Sequence, residues 1–420
     1  MKLKSEKGII GIVALFLMFA LVLFGLAVSI GVKGYYQTVT IKGREINALY
    51  LAEAGAERAI WKLCRDPFSQ KVGVLFENES LDKGTYSVYI TALENVDGDT
   101  IVTLISQGVS KGKRKLKYKV WLHSVTPSEL FRTYALFWGN SDHSGSFSLL
   151  NSVAVHRVGD APGNVFAYGD IYIGPGCEVV PGLVYSTGTI SGEGNYTPGI
   201  CPDPPPPYPT LDTSYYDDKI HDAEVNGDPD LIVNGTTYHL AGATKKVKGK
   251  VIVRNGGKII GPGKIISTEG ISVINSSQIQ NVNEIISGWE IHVSNSSQIK
   301  CDPSYVPSGE FTVVFSSRGI KVINSSIVEG QLIAVEKMEI INSVVVRGVI
   351  YLGENGSCAI CNSVQIQGCV FSDEFQLNKI CNSVHIVHDK QWIPPLPPPG
   401  VTIPPLTKAK VLSYQELPLQ

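Results

Sequence analysis

Hydrophobic and polar positions follow three different rhythms along this 420-residue chain. Residues 8–32 carry no charge and are almost all Ile, Leu, Val, Ala, Phe or Gly. At 1.5 Å per residue the 24 residues 9–32 would rise roughly 36 Å, enough to cross a bilayer core. Past Gly31 and Gly34 the apolar positions Ile46, Leu49, Ala56, Ile60 and Leu63 fall at helical spacing, with Glu45, Glu53, Glu57 and Arg58 between them. No proline precedes Pro67, so nothing forces a stop at a membrane surface. The pattern predicts one helix over 9–65, greasy in its first half and amphipathic in its second. Strict alternation then takes over at 84–93, followed by turn residues at 94–99 and further strands at 100–107 and 115–123. A small antiparallel sheet of three strands is expected within 66–130, packed on the helix.

Beyond residue 131 the rhythm lengthens into a repeat. Asn-Ser recurs at Asn275, Asn295, Asn324, Asn342, Asn362 and Asn382, at spacings of 20, 29, 18, 20 and 20. Two positions before each asparagine stand Val273, Val293, Val322, Ile340, Ile360 and Ile380. Four positions after it stand Ile279, Ile299, Val328, Val346, Ile366 and Ile386. Six after it, in three coils, come Gly330, Gly348 and Gly368. β-Branched columns with a period near 20 and glycine-marked turns predict a right-handed parallel β-helix, or solenoid, over 131–390. A single coil cannot bury its apolar residues; coils stacked at about 4.8 Å share a core. Asparagine suits the inner turn because it tolerates left-handed dihedrals and its amide can pair with the copies above and below. The 29-residue interval reads as a coil carrying an inserted loop at 301–310. Residues 200–250, with six prolines between 201 and 209, read as an excursion from the solenoid containing an extended stretch and a short helix over 210–223. Residues 391–420 read as a proline-rich tail of uncertain order.

The residues Lys7-Gly8-Ile9 end a short basic leader in glycine and open directly onto the apolar run. This resembles the class III leader of type IV pilin precursors. Residues 48–59, with Ala52, Glu53, Ala54, Gly55 and Glu57 at their centre, are similar to the alanine- and glutamate-rich pattern of PilX-type minor pilins. The likeness covers about 60 of the 420 residues. It implies a leader at 1–8, cut after Gly8 by a prepilin peptidase, and a methylated Ile9. It also implies a pilin-like α+β unit and assembly with other pilin subunits by the pilus machinery into an extracellular filament. The fifth mature position is Val13 where most pilins carry glutamate, so no contact with a neighbour's amino terminus follows. A secretory signal peptide is the rival, but the apolar run exceeds the usual ~7–15 residues, and Ala27, Ser29 and Gly31 match a cleavage site poorly. Under either a pilin or a plain-anchor reading, Lys2, Lys4 and Lys7 hold the amino end in the cytoplasm and put the rest outside.

Charge and composition change little. Lys+Arg at 36 against Asp+Glu at 38 gives no electrostatic case for nucleic acid. Eight cysteines are too few for a disulfide framework at this length. Cys361 and Cys381 stand just before the repeat asparagine, where Ile274, Ile323 and Ile341 stand elsewhere. They read as small apolar residues or as a coil-to-coil disulfide. The C-x-x-C at Cys358 and Cys361 raises zinc as a rival, and Cys177 with Cys201 raises a second bridge. Asp217, Asp218, His221, Asp222, Glu224, Asp228 and Asp230 cluster without the spacing of a calcium loop and read as a solvated turn. His385, His388 and Asp389 would point to opposite faces of a strand, which disfavours a metal. β-Helices include polysaccharide enzymes, which gather carboxylates or bases on one face, and no column here does so. The expectation is a structural, non-catalytic subunit without metal or cofactor. The alternative is a membrane-anchored β-helix that binds or degrades polysaccharide and never enters a fibre. A cytoskeletal polymer of bactofilin type is disfavoured because the solenoid is expected outside the membrane.

Overall fold

The computed structural model describes residues 4–65, 71–82, 84–96, 99–139, 145–202, 205–301, 311–375, 379–403 and 407–418. The chain divides into two units, residues 1–124 with 405–420, and residues 125–404. In the first unit α1 (Lys4–Arg65) runs unbroken for 62 residues. Mid-helix hydroxyls are satisfied locally, Thr38 donating to the Gly34 carbonyl at 3.0 Å and Thr40 to that of Tyr36 at 2.7 Å. In the second half Ala48, Leu51, Ala52, Ala56, Ala59 and Leu63 form a buried stripe at helical spacing. Ala56, Ala59 and Leu63 of that stripe pack on Tyr86, Val88, Ile90, Val102, Leu104, Val120 and Leu122.

The sheet beneath is larger than the alternation predicts. β1 (Gly73–Leu81), β2 (Gly84–Val96), β3 (Asp99–Val109) and β4 (Lys113–Ser124) form an antiparallel meander, and the carboxy-terminal strand Thr407–Leu417 adds a fifth member beside β4. Residues 407–417 are thus a strand rather than the end of a tail. Arg114 ties this arrangement together, pairing with Glu45 of α1 at 2.8 Å and with Glu416 at 2.9 Å. Glycine lets helix and sheet approach. A Cβ on Gly108 would lie 2.0 Å from the Ala48 carbonyl oxygen.

The second unit is a parallel β-solenoid of about 11 coils. A regular coil consists of strands such as Gly319–Ile323, Ile327–Glu329 and Gln331–Ala334, each paired in register with its copies above and below. All twelve residues of the two β-branched columns are buried in one core. The glycine column is set by backbone geometry: Gly348 has φ 141°, and a Cβ there would lie 1.9 Å from the Gly330 carbonyl oxygen. The expected insertion at 301–310 lies, but for Cys301, outside the described residues.

The coils do not stack in chain order. The last coil, with Ile380 and Ile386, stacks on the first, with Leu149 and Val155, and Val370 pairs with Leu136. Coils from 164 to 198 continue beyond that junction. From residue 199 the chain runs along the flank of the stack and resumes coiling at Leu231–Asn234, at the opposite end. The excursion is therefore shorter than 200–250, since 231–254 already form coils.

That flank carries an outward aromatic file in successive coils. Phe166, Phe137 and Phe371 stack at 4.8 and 5.0 Å, and Tyr351 pairs laterally with Phe371. Residues 205–209 of the proline segment cover this file. Prolines lack N–H groups, so they can be laid on an apolar surface without orphaned donors. Their carbonyls accept instead: Tyr168 donates to Pro206 at 2.8 Å and Tyr351 to Pro209 at 2.7 Å. α3 (Ser214–Asn226) extends the cover, with Tyr216 stacked on Phe315 at 3.7 Å. A short helix, α2 (Pro127–Thr133), opens the unit with a capping box between Thr126 and Glu129 and buries Phe131 against Phe371 at 4.7 Å.

Candidate functional site

The first candidate is the exposed half of α1. Every large apolar side chain from Leu15 to Val32 lies open, Leu15 at 72% and Phe24 at 69%, and the helix is long and apolar enough to cross a membrane. The junction between Gly8 and Ile9 falls within its backbone, while residues 1–3 of the expected leader lie outside the described residues.

The motif at 52–57 occupies the turn where α1 meets the sheet most tightly. The Ser106 hydroxyl donates to the Ala52 carbonyl at 2.6 Å. A Cβ on Gly55 would lie 2.7 Å from the Tyr86 ring and 2.8 Å from the Ser106 hydroxyl, so glycine permits the approach. Ala54 is half-buried, as is Glu53, and Glu57 is exposed. Burial raises the pKa of Tyr118, and the charges of Glu53 and Glu57 add to that shift. Arg58 donates to the Tyr86 hydroxyl and reaches Glu79 at 3.4 Å. The small residues of the motif thus serve helix–sheet packing.

The asparagine column forms a continuous amide ladder. Asn151 donates to Asn382, Asn382 to Asn362, Asn362 to Asn342, Asn342 to Asn324, Asn324 to Asn295, and Asn295 to Asn275, at 3.0–3.3 Å. Asn275 donates onward to Asn255 at 3.4 Å, and Asn255 to Asn234 at 2.8 Å. In the six Asn-Ser coils of the repeat both residues are left-handed, Asn275 at φ 58° and Ser276 at 60°, for example. The ladder lies at the solvent surface rather than at an inner turn, because both side chains of a left-handed pair splay away from the core. Its outer members Asn234 and Asn255 were hidden from the repeat pattern because glycine, not serine, follows them.

Cys361 and Cys381 are lateral neighbours in adjacent coils, and both are thiols. Burial raises the pKa of Cys361, and Cys381 beside it adds to the shift. Cys358 faces the core, so the strand Ser357–Cys361 turns the two cysteines of the C-x-x-C to opposite sides. Cys177 is buried, its sulfur accepting from the Val153 N–H at 3.4 Å. His388 is buried, with Nδ1 accepting from the Gly163 N–H and Nε2 donating to the Phe131 carbonyl, both at 3.0 Å. His385 is exposed. The acidic cluster is dispersed over separate partners. Thr213 donates to Asp217 at 2.6 Å, Lys246 pairs with Asp222 at 2.6 Å, Lys245 pairs with Asp228, and Asp230 accepts from the Lys250 N–H at 2.8 Å.

No family model matches the chain, and no curated protein matches it. Among solved structures, the crystal structure of the competence-associated pilin ComZ from Thermus thermophilus is similar at 14% identity, spanning 89% of this chain and 97% of that one. The TM-score is 0.28, a superposition too loose to carry an argument about this chain.

Proposed function

We propose that this chain is a structural, non-catalytic subunit of a type IV pilus or related filament, of the PilX-type minor pilin kind. The observation that carries the reading is the division of α1. One half is docked on an antiparallel sheet through a small-residue face, and the other half is bare and apolar for more than four turns. Such a surface needs a cover. Lipid supplies one before assembly, and sister helices supply it in a fibre, where apolar faces and side-chain packing replace the lipid contacts. The solenoid is then carried outward, for adhesion, motility or partner contact. Within the solenoid Glu284, Glu329 and Glu339 are each held by a lysine or arginine, which supports a structural rather than a catalytic use of these carboxylates.

The test is intact mass and amino-terminal sequencing of the protein purified from its native membrane. A terminus at Ile9 carrying one methyl group is the expected result. An unprocessed terminus in cells with an active prepilin peptidase would leave a plain membrane anchor and overturn the assembly reading.

A further inference from the structure

One constellation lies on the outer face of the solenoid, outside its apolar core. Trp289 stands at a turn between strand rows and is 48% exposed. In the next coil Arg318 lies over its ring, the guanidinium carbon 4.3 Å from the centroid, and one coil further Glu336 reaches Arg318 at 3.6 Å. A second file runs beside this one on the strands, where His292, Lys321 and Glu339 are in lateral register. Lys321 meets Glu339 at 2.9 Å, and Lys337 also pairs with Glu339. Between the files lies a shallow cavity of about 230 Å³ that includes Trp289, Arg318 and Glu339 in its lining. Among the described residues the buried Nε2 of His292 in the adjoining file has no hydrogen-bond partner.

The chemistry of these walls selects a ligand. The three cations Arg318, Lys321 and Lys337 are matched by the carboxylates Glu290, Glu336 and Glu339, so neither a polyanion nor a polycation gains from the field. What remains is one indole, with hydrogen-bond donors and acceptors in the next two coils at the coil spacing of about 4.8 Å. Sugar rings present an apolar C–H face together with hydroxyls that both donate and accept. An extended chain of pyranose rings laid along the stack would meet roughly one coil per ring. The Arg318–Glu336 pair is about half exposed and contributes little, and the cation–π contact of Arg318 with the exposed Trp289 ring is weak at such a site, so a sugar can displace the guanidinium from the indole face.

We propose that the file of Trp289, Arg318 and Glu336, with that of Lys321 and Glu339 beside it, is a subsite for an uncharged polysaccharide, one ring seated on the Trp289 indole. The proposal deepens the adhesive part of the function proposed above, but it does not require leader processing or fibre assembly. The two readings therefore fail separately, one by terminal sequencing and the other by binding.

The test uses the purified full-length chain in detergent, with cellohexaose and chitohexaose as neutral probes and an oligogalacturonate as the acidic comparator. Titration calorimetry should show saturable binding of at least one neutral hexasaccharide and none of the acidic one. Trp289→Ala should weaken binding by about tenfold or more, and Trp289→Phe should retain part of it, each with an unchanged melting temperature. Absence of binding by both neutral probes, undiminished binding by Trp289→Ala, or a preference for the acidic oligosaccharide would overturn the proposal.

Discussion

A left-handed dihedral costs most side chains about 1–2 kcal/mol, and asparagine evades much of that cost. At Asn342, with φ 69°, the amide also donates to Asn324 at 3.3 Å and accepts from Asn362 at 3.1 Å. The two contributions separate by substitution. Asn342→Gly keeps the dihedral and loses the ladder bonds, which at an exposed position cost about 1 kcal/mol together. Asn342→Ala loses both, so thermal unfolding should rank wild type above Gly and Gly above Ala. An alanine variant as stable as the glycine one would show that the dihedral carries no cost here. At this scale the sequence was highly legible, because the repeat aligns chemically identical environments. Val322 and Ile340 had to be buried once the period was known. Arg58 on Tyr86, or Tyr208 donating to Leu352 at 2.7 Å, had no such column to betray them.

Elements that cover the solenoid depend on a few polar anchors, and these respond to pH in two windows. His388 joins α2 to the coils through Phe131 and Gly163, and burial depresses its pKa. Its unfolded value is about 6.5, so the unfolded chain takes up a proton first. The stability it contributes is present above that value and is lost as pH falls through the folded value. Glu284 anchors α3, with Lys219 at 2.5 Å, Tyr215 at 2.7 Å and Lys264 at 2.9 Å. Burial opposes its charge, but the hydrogen bonds from Lys219, Lys264 and Tyr215 outweigh that and hold it below the usual carboxylate range. Its contribution persists above about pH 4.3 and disappears only as pH falls through the depressed value. Melting temperature should therefore decline from pH 7 to 5.5, and His388→Asn, which can keep one donor and one acceptor, should flatten that decline. An unaltered slope in the variant would exonerate His388. Glu284→Gln should speed amide exchange in Ser214–Asn226 at pH 7 by releasing α3, while exchange in the distant strand His385–His388 stays unchanged. Neither anchor was visible in the sequence, where His388 lies 257 residues from Phe131 and Glu284 65 from Lys219.

For the whole molecule, the period predicted that coils stack but not in what order. Lateral pairing between β-branched columns is the same for any two coils, so the match of Ile386 to Val155 left no local mark. The fifth strand of the sheet was hidden for a related reason. Residues 407–417 alternate weakly, and their partner β4 lies far back along the chain. Truncation before Thr407 should strip the edge of β4 and lower the unfolding temperature of the helix-and-sheet unit, leaving that of the solenoid in place. A calorimetric scan reads both, and a single unchanged transition would contradict the two-unit description.

The out-of-order stack also has a history in time. A solenoid wound in chain order can add each coil to a finished one as the polypeptide emerges. Here the coils between residues 134 and 198 are made first, yet the strands that complete one of their edges, at 370–372, 379–381 and 385–388, are made last. Throughout the interval a row of unpaired backbone groups stays open, the kind of edge that recruits foreign strands. Closing it is a contact across more than 200 residues, which makes it a slow step. A chain of this design would be exposed for most of its delivery, and protected only when its final coil arrives.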